Sequence, residues 1–246
     1  MSIWIGVAML AAVFVTSTLS GVFGMAGGLV LLALFLLILP VSTAIAVQGI
    51  IQIVANGSRA WMSRAFIDWR ILGTLLTGLL SAGVLLWIVR YTPDLATVYI
   101  VIGLLPILVW IPRSWLQLDA ARPLHALACG FLGGGLNLTV GVSGPTVDIF
   151  FIHTTLDRRA IVATKAAMQV LSHLAKVVFY WQATMVLSQF EWGAVALAAP
   201  AAIAGTSAGY AVLQRMTDVN FRVWMRWIVS AIGLYYLVQG ILLITA

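Results

Sequence analysis

Residues 71–89 read Ile71-Leu-Gly-Thr-Leu-Leu-Thr-Gly-Leu-Leu-Ser-Ala-Gly-Val-Leu-Leu-Trp-Ile-Val89, nineteen residues without a charge between Arg70 and Arg90. A helix of that length rises about 30 Å, the thickness of a bilayer's hydrocarbon core. A membrane β-strand would be shorter and would alternate in polarity. Lipid offers no partner for backbone N–H and C=O groups, so an unbroken apolar run in it must be helical. The same reading extends along the chain. Charged and Gly/Pro sites divide it into apolar stretches near 3–22, 25–40, 42–58, 71–90, 95–112, 123–140, 145–156, 160–182, 192–213 and 222–245. The stretch at 145–156 is too short for a comfortable crossing, since it would cover only about 18 Å.

Composition agrees. The chain is 63% hydrophobic and 8% charged, with a mean hydropathy of +1.10, whereas soluble domains carry roughly a quarter of charged residues. The expectation is an all-α, polytopic integral membrane protein with a single membrane domain over residues 1–246. The net charge of +6 does not indicate nucleic acid, because the basic residues are spread through membrane loops. Arg59, Arg64 and Arg70 fall in one loop, Arg113 and Arg122 in the next, then Arg158 and Arg159, then Arg215 and Arg222. Placing these loops in the cytoplasm leaves Arg90, near Asp94, as the only loop arginine outside, as the positive-inside rule requires. Trp61, Trp69, Trp110 and Trp115 then flank the inner loops, while Trp4, Trp87, Tyr91, Tyr180, Trp181 and Trp192 flank the outer ends. Both termini are expected outside a bacterial cytoplasmic (inner) membrane. The apolar run from Ile3, with no basic region before it, reads as a membrane element and not as a cleaved signal. The single cysteine, Cys129, lies in a small-residue run and reads as packed core; it excludes an intramolecular disulfide framework.

Self-comparison shows a weak repeat. A shift of 117 residues places Gly24 on Gly141, Gly27 on Gly144, Gln48 on Lys165, Gln52 on Gln169 and Asn56 on His173. Farther on, the shift grows to 126 and places Gly83 on Gly209. Corresponding loops, 59–70 and 182–191, fall on opposite faces. The reading is two inverted-topology repeats, about 1–116 and about 117–246, an architecture common among secondary transporters. Residues 123–157 begin and end in the cytoplasm around Gly141-Val142-Ser143-Gly144-Pro145, and residues 3–40 do the same from outside. Each is a full hairpin or a re-entrant one with glycine-broken helices; the short arm favours re-entry.

The first half carries Gly21-Val-Phe-Gly24-Met-Ala-Gly27-Gly28, then Pro40 about a dozen residues on, then the Ala-rich Thr43-Ala-Ile-Ala-Val-Gln48. A degraded form recurs after Cys129. In these residues, and over essentially its whole length, the chain resembles the TauE/SafE sulfite exporters of the TSUP superfamily. It departs from them at Met25-Ala26, where the family often has further glycine, and in the charge of its second half. The resemblance implies a non-enzymatic exporter of sulfite or another small sulfur-containing anion, such as an organosulfonate. The expected partners are that anion and the lipid bilayer. No cofactor is expected, and oligomer assembly stays open.

The stretch 160–182 carries Lys165, Gln169, His173 and Lys176 at i, i+4, i+8 and i+11, one helical face. The chain's only two lysines are here. Counting from Arg159 puts Gln169 roughly 15 Å deep, near mid-bilayer. A lysine at the membrane centre costs at least about 2.5 kcal/mol, so it faces a cavity or a partner unless, like Lys176, it reaches an interface by snorkelling. The matched stretch carries Gln48, Gln52 and Asn56. Both stripes read either as interhelical glue or as the walls of one path. In the second reading Gln52 and Gln169 donate to an oxyanion and Lys165 supplies charge. The glycine tips, Gly24, Gly27 and Gly28 with Ser143 and Gly144, serve close helix packing or an anion site at helix N-termini. Thr139 and Asn137 offer further donors. Asp148 pairs with Lys165 or His173, or with His173 is a proton-coupling candidate. His125 and His153 lie near cytoplasmic ends, and three scattered histidines make no metal site. The seven acidic residues are too scattered for a membrane enzyme. The expected mechanism is a carrier working by alternating access; the alternative is an anion-selective channel.

Overall fold

The computed structural model describes residues 3–23, 26–115, 117–151, 153–213, 215–216 and 218–245. Among them the regular structure is entirely helical: α1 (Ile3–Phe23), α2 (Ala26–Leu36), α3 (Val41–Met62), α4 (Trp69–Ile88), α5 (Leu95–Leu104), α6 (Ile107–Trp110), α7 (Pro123–Val140), α8 (Gly144–Phe150), α9 (Arg158–Phe179), α10 (Trp181–Thr184), α11 (Gln189–Leu213) and α12 (Asp218–Thr245). Short 3-10 turns occupy Arg64–Phe66 and Arg113–Trp115. Six helices, α1, α3, α4, α9, α11 and α12, are long and apolar enough to cross a membrane. The all-α, polytopic class expected from the sequence is therefore what the chain adopts.

Local chemistry sets the helix ends. The Asp68 carboxylate accepts from the N–H groups of Arg70 and Ile71 and starts α4. Asp94 accepts from Thr97 at the start of α5, and Asp157 from Arg159 at the start of α9. Each satisfies N–H groups that have no partner within the helix. Pro123 and Pro145 occupy first turns, where the missing donor is harmless. Gly141, at φ 85°, ends α7 in the left-handed region that glycine enters without steric cost. The apolar stretch 95–112, continuous in the sequence, is divided into α5 and α6 at Leu105-Pro106, because proline removes a helix hydrogen bond and crowds the preceding turn.

The stretch at 145–156 is helical only over Gly144–Phe150. Seven residues rise about 10 Å and the eleven of α2 about 16 Å, so neither crosses the hydrocarbon. Of the two readings of the hairpins, these half-helices fit the re-entrant one.

Four helix pairs dominate: α1 with α11, α4 with α7, α3 with α9 and α5 with α12. Small residues let backbones meet, as in other membrane bundles. A Cβ at Gly21 would lie 2.6 Å from the Thr206 main-chain oxygen, and one at Gly78 2.6 Å from the Phe131 nitrogen. The 117-residue shift carries α3 onto α9 end to end. Large apolar side chains such as Leu80, Trp87, Val178, Leu234 and Leu242 face outward, which lipid tolerates and water does not.

Candidate functional site

Where α3 crosses α9, the helix ends of α2 and α8 close a small polar cavity. It holds about 380 Å³ of atom-free space including its mouth. Gln48, Gln52 and Asn56 enter from α3, Gln169, Ser172 and His173 from α9, Gly28 from α2, Ser143 and Gly144 from the α7–α8 turn, and Asn137 and Val142 complete the wall. The α3 stripe thus shares one space with Gln169 and His173 of the α9 stripe, while the two lysines of that stripe do not line it. The lining has no carboxylate and no cation.

The hydrogen bonds orient the amides. Gln48 donates through Nε2 to the Gly28 main-chain oxygen at 3.2 Å and accepts at Oε1 from Lys176. Gln52 accepts at Oε1 from Asn56 Nδ2 at 3.2 Å, which leaves its own Nε2 near Gly28. Both NH₂ groups converge there: a Cβ at Gly28 would lie 3.0 Å from Gln52 Nε2 and 3.4 Å from Gln48 Nε2. A side chain there would push the Gln52 amide aside by a few tenths of an ångström. On the opposite wall Asn137 Nδ2 donates to Ser172 Oγ at 2.7 Å. The buried Nδ1 of His173 has no hydrogen-bond partner among the described residues. A buried polar atom left unpaired costs about 1–3 kcal/mol.

The remaining candidates lie elsewhere. Gly24 is outside the described residues. Gly27 is buried against Thr16 and Ser20 of α1, where any Cβ would collide, and it does not line the cavity. Lys165 is bonded to Asp148, both side chains about a quarter exposed (25% and 26%); neither lines the cavity. The two offset each other's charge, so the cation expected there is already paired. Thr139 turns its hydroxyl back to Gly135 at 2.9 Å. Ser172 was not singled out by the sequence, although it sits three residues beyond Gln169, on the edge of the same helical face. Its partner Asn137 is on α7, and no spacing rule links those two positions.

The family model for the sulfite exporter TauE/SafE matches residues 9–236. No curated protein and no solved structure matches the chain. The family, a transporter family, and the six long apolar helices make this a multi-pass membrane protein with a small anion as its class of substrate. The match runs over nearly the whole length, and the chain belongs to the sulfite exporter TauE/SafE family.

Proposed function

We propose that the protein is a secondary carrier that moves sulfite or an organosulfonate out across the bacterial cytoplasmic membrane, and that the anion binds in the cavity between the two polar stripes. The observation that carries this reading is the donor set. Gln48 and Gln52 present NH₂ groups beside Gly28, His173 has a buried unpaired nitrogen, and no lining residue carries a negative charge that would repel an anion. Neutral donors fixed in a small polar space suit an oxyanion that must bind and then leave.

Alternating access would come from two inverted repeats, 1–116 and 117–246. Supporting this, the 117-residue shift matches α3 to α9. The accompanying match of α1 to α7 and of α4 to α11 turns the α1–α11 contact into the α7–α4 contact. A negative interior potential favours expulsion of an anion by about 2.3 kcal/mol per charge per 100 mV. Asp148 and His173 remain the groups that would couple protons to the cycle.

The test is sulfite flux in liposomes containing the purified protein. A carrier gives saturable flux that is accelerated by sulfite on the opposite side. Linear flux without that acceleration would replace the carrier with a channel, and no flux of any sulfur oxyanion would overturn the proposal.

A further inference from the structure

Of the chain's two lysines, only Lys176 is buried, at 0% exposure. Its Nζ donates to Gln48 Oε1 and, at 3.0 Å, to the main-chain oxygen of Gly141. Both acceptors are formally neutral. The carboxylate that could have balanced a cation on this helix face, Asp148, is bonded to Lys165 instead. A cation this deep without a counter-ion is expensive to keep. One reason for keeping it is local: Gly141 ends α7, and a cation there answers the negative pole of that helix.

That local reason is shared with the other half of the chain. The 117-residue shift places Lys176 on Arg59, and Arg59 donates to the Ser20 main-chain oxygen near the end of α1 at 3.1 Å. Among the described residues, Lys176 makes a contact for which Arg59 shows no counterpart. It also holds Gln48, a residue of the cavity wall, by its oxygen, and so turns Gln48 Nε2 toward Gly28. Gly49 leaves the space that this needs, since a Cβ there would lie 2.8 Å from Lys176 Cε.

We propose that Lys176 is the positive charge of the anion site: it acts from behind Gln48 and gives the cavity its preference for doubly over singly charged sulfur oxyanions. The assignment rests on the transport reading above. One side chain separates the ammonium from the cavity, and in a buried site its attraction is little screened. At the same distance its attraction for a dianion is about twice that for a monoanion. Lys165, the residue to which helix depth points, has its charge offset by Asp148. Lys176 is a positioning and charge-setting residue, held one shell back from the bound anion.

The experiment is calorimetric titration of the purified full chain with sulfite, at a pH where it is a dianion, and with methanesulfonate, a monoanion of similar size. Wild type is compared with Lys176→Gln, which keeps a donor for Gly141, with Lys176→Arg, and with Arg59→Gln. Lys176→Gln is expected to weaken sulfite binding by about tenfold or more, as for loss of a buried unit charge one side chain away from the anion. It should weaken methanesulfonate clearly less, so that the ratio of affinities falls. Lys176→Arg should restore most of the ratio, and Arg59→Gln should leave it unchanged. If Lys176→Gln does not fold, Gly49→Ala displaces the ammonium without removing it and should lower the same ratio. A ratio kept in Lys176→Gln, or in Gly49→Ala where that variant stands in, would reduce Lys176 to a helix cap and overturn the proposal. So would an equal fall in Arg59→Gln. No binding of either anion by wild type would overturn the transport reading and this assignment with it.

Discussion

Gln48 and Gly28 are joined by a hydrogen bond from the amide Nε2 to the main-chain oxygen, 3.2 Å long and buried. It ties the start of a half-helix that does not cross the membrane to the stripe on the helix that does. Gln48→Leu keeps the volume but removes the side-chain donor to the Gly28 oxygen and one of the two acceptors of the Lys176 ammonium, which keeps only the Gly141 oxygen. The expected cost is about 1–3 kcal/mol. It should appear as a lower Tm in detergent, together with loss of most sulfite flux.

Gly28→Ala tests the approach of the α2 tip. The new Cβ would lie 3.0 Å from Gln52 Nε2, so the glutamine must move by a few tenths of an ångström. Helix propensity favours alanine, and the fold should hold with Tm nearly unchanged. Displacing a donor from its working geometry should weaken sulfite binding by about tenfold. Calorimetry on the two proteins reads both quantities' difference against wild type.

Arg90 ends α4 at φ 51°, in the left-handed region, with Tyr91 N–H returning to the Leu86 oxygen at 3.0 Å. A non-glycine residue there is strained by about 1 kcal/mol or more. Arg90→Gly should therefore raise Tm, by roughly 2–4 °C for a chain of this size. An unchanged or lower Tm would show that the arginine side chain offsets its own strain.

The sidedness read from the arginines is open to labelling. Cys129 is fully buried and should stay silent toward a membrane-impermeant maleimide in intact cells. In a Cys129→Ser background, Thr92→Cys should label from outside and Ala65→Cys only after the membrane is opened. The reverse pattern would invert the proposed topology.

Much of this architecture was legible because lipid removes options. Runs such as Ile71–Val89 must be helical, and the helix observed there, Trp69–Ile88, agrees within two residues. The stripes Gln48-Gln52-Asn56 and Gln169-His173 were visible as polar residues at helical spacing, and all five line the cavity. Lys165 was harder to place. Its depth along the helix pointed to the cavity, but whether it was free depended on where the short α8 put Asp148, which spacing does not determine. Ser172 was invisible for a similar reason, since its partner Asn137 comes from a different helix. The break at Pro106 was readable in principle, because a proline inside an apolar run marks a helix boundary or kink.

The most direct test of the binding cavity is saturable sulfite flux in liposomes by wild type beside Gln52→Leu and Gln169→Leu, with all three proteins checked for an intact fold. The account predicts that each substitution removes a wall donor and lowers flux by about tenfold or more. Flux unchanged in both variants would contradict it, and the anion's path would have to be sought away from the α3–α9 crossing.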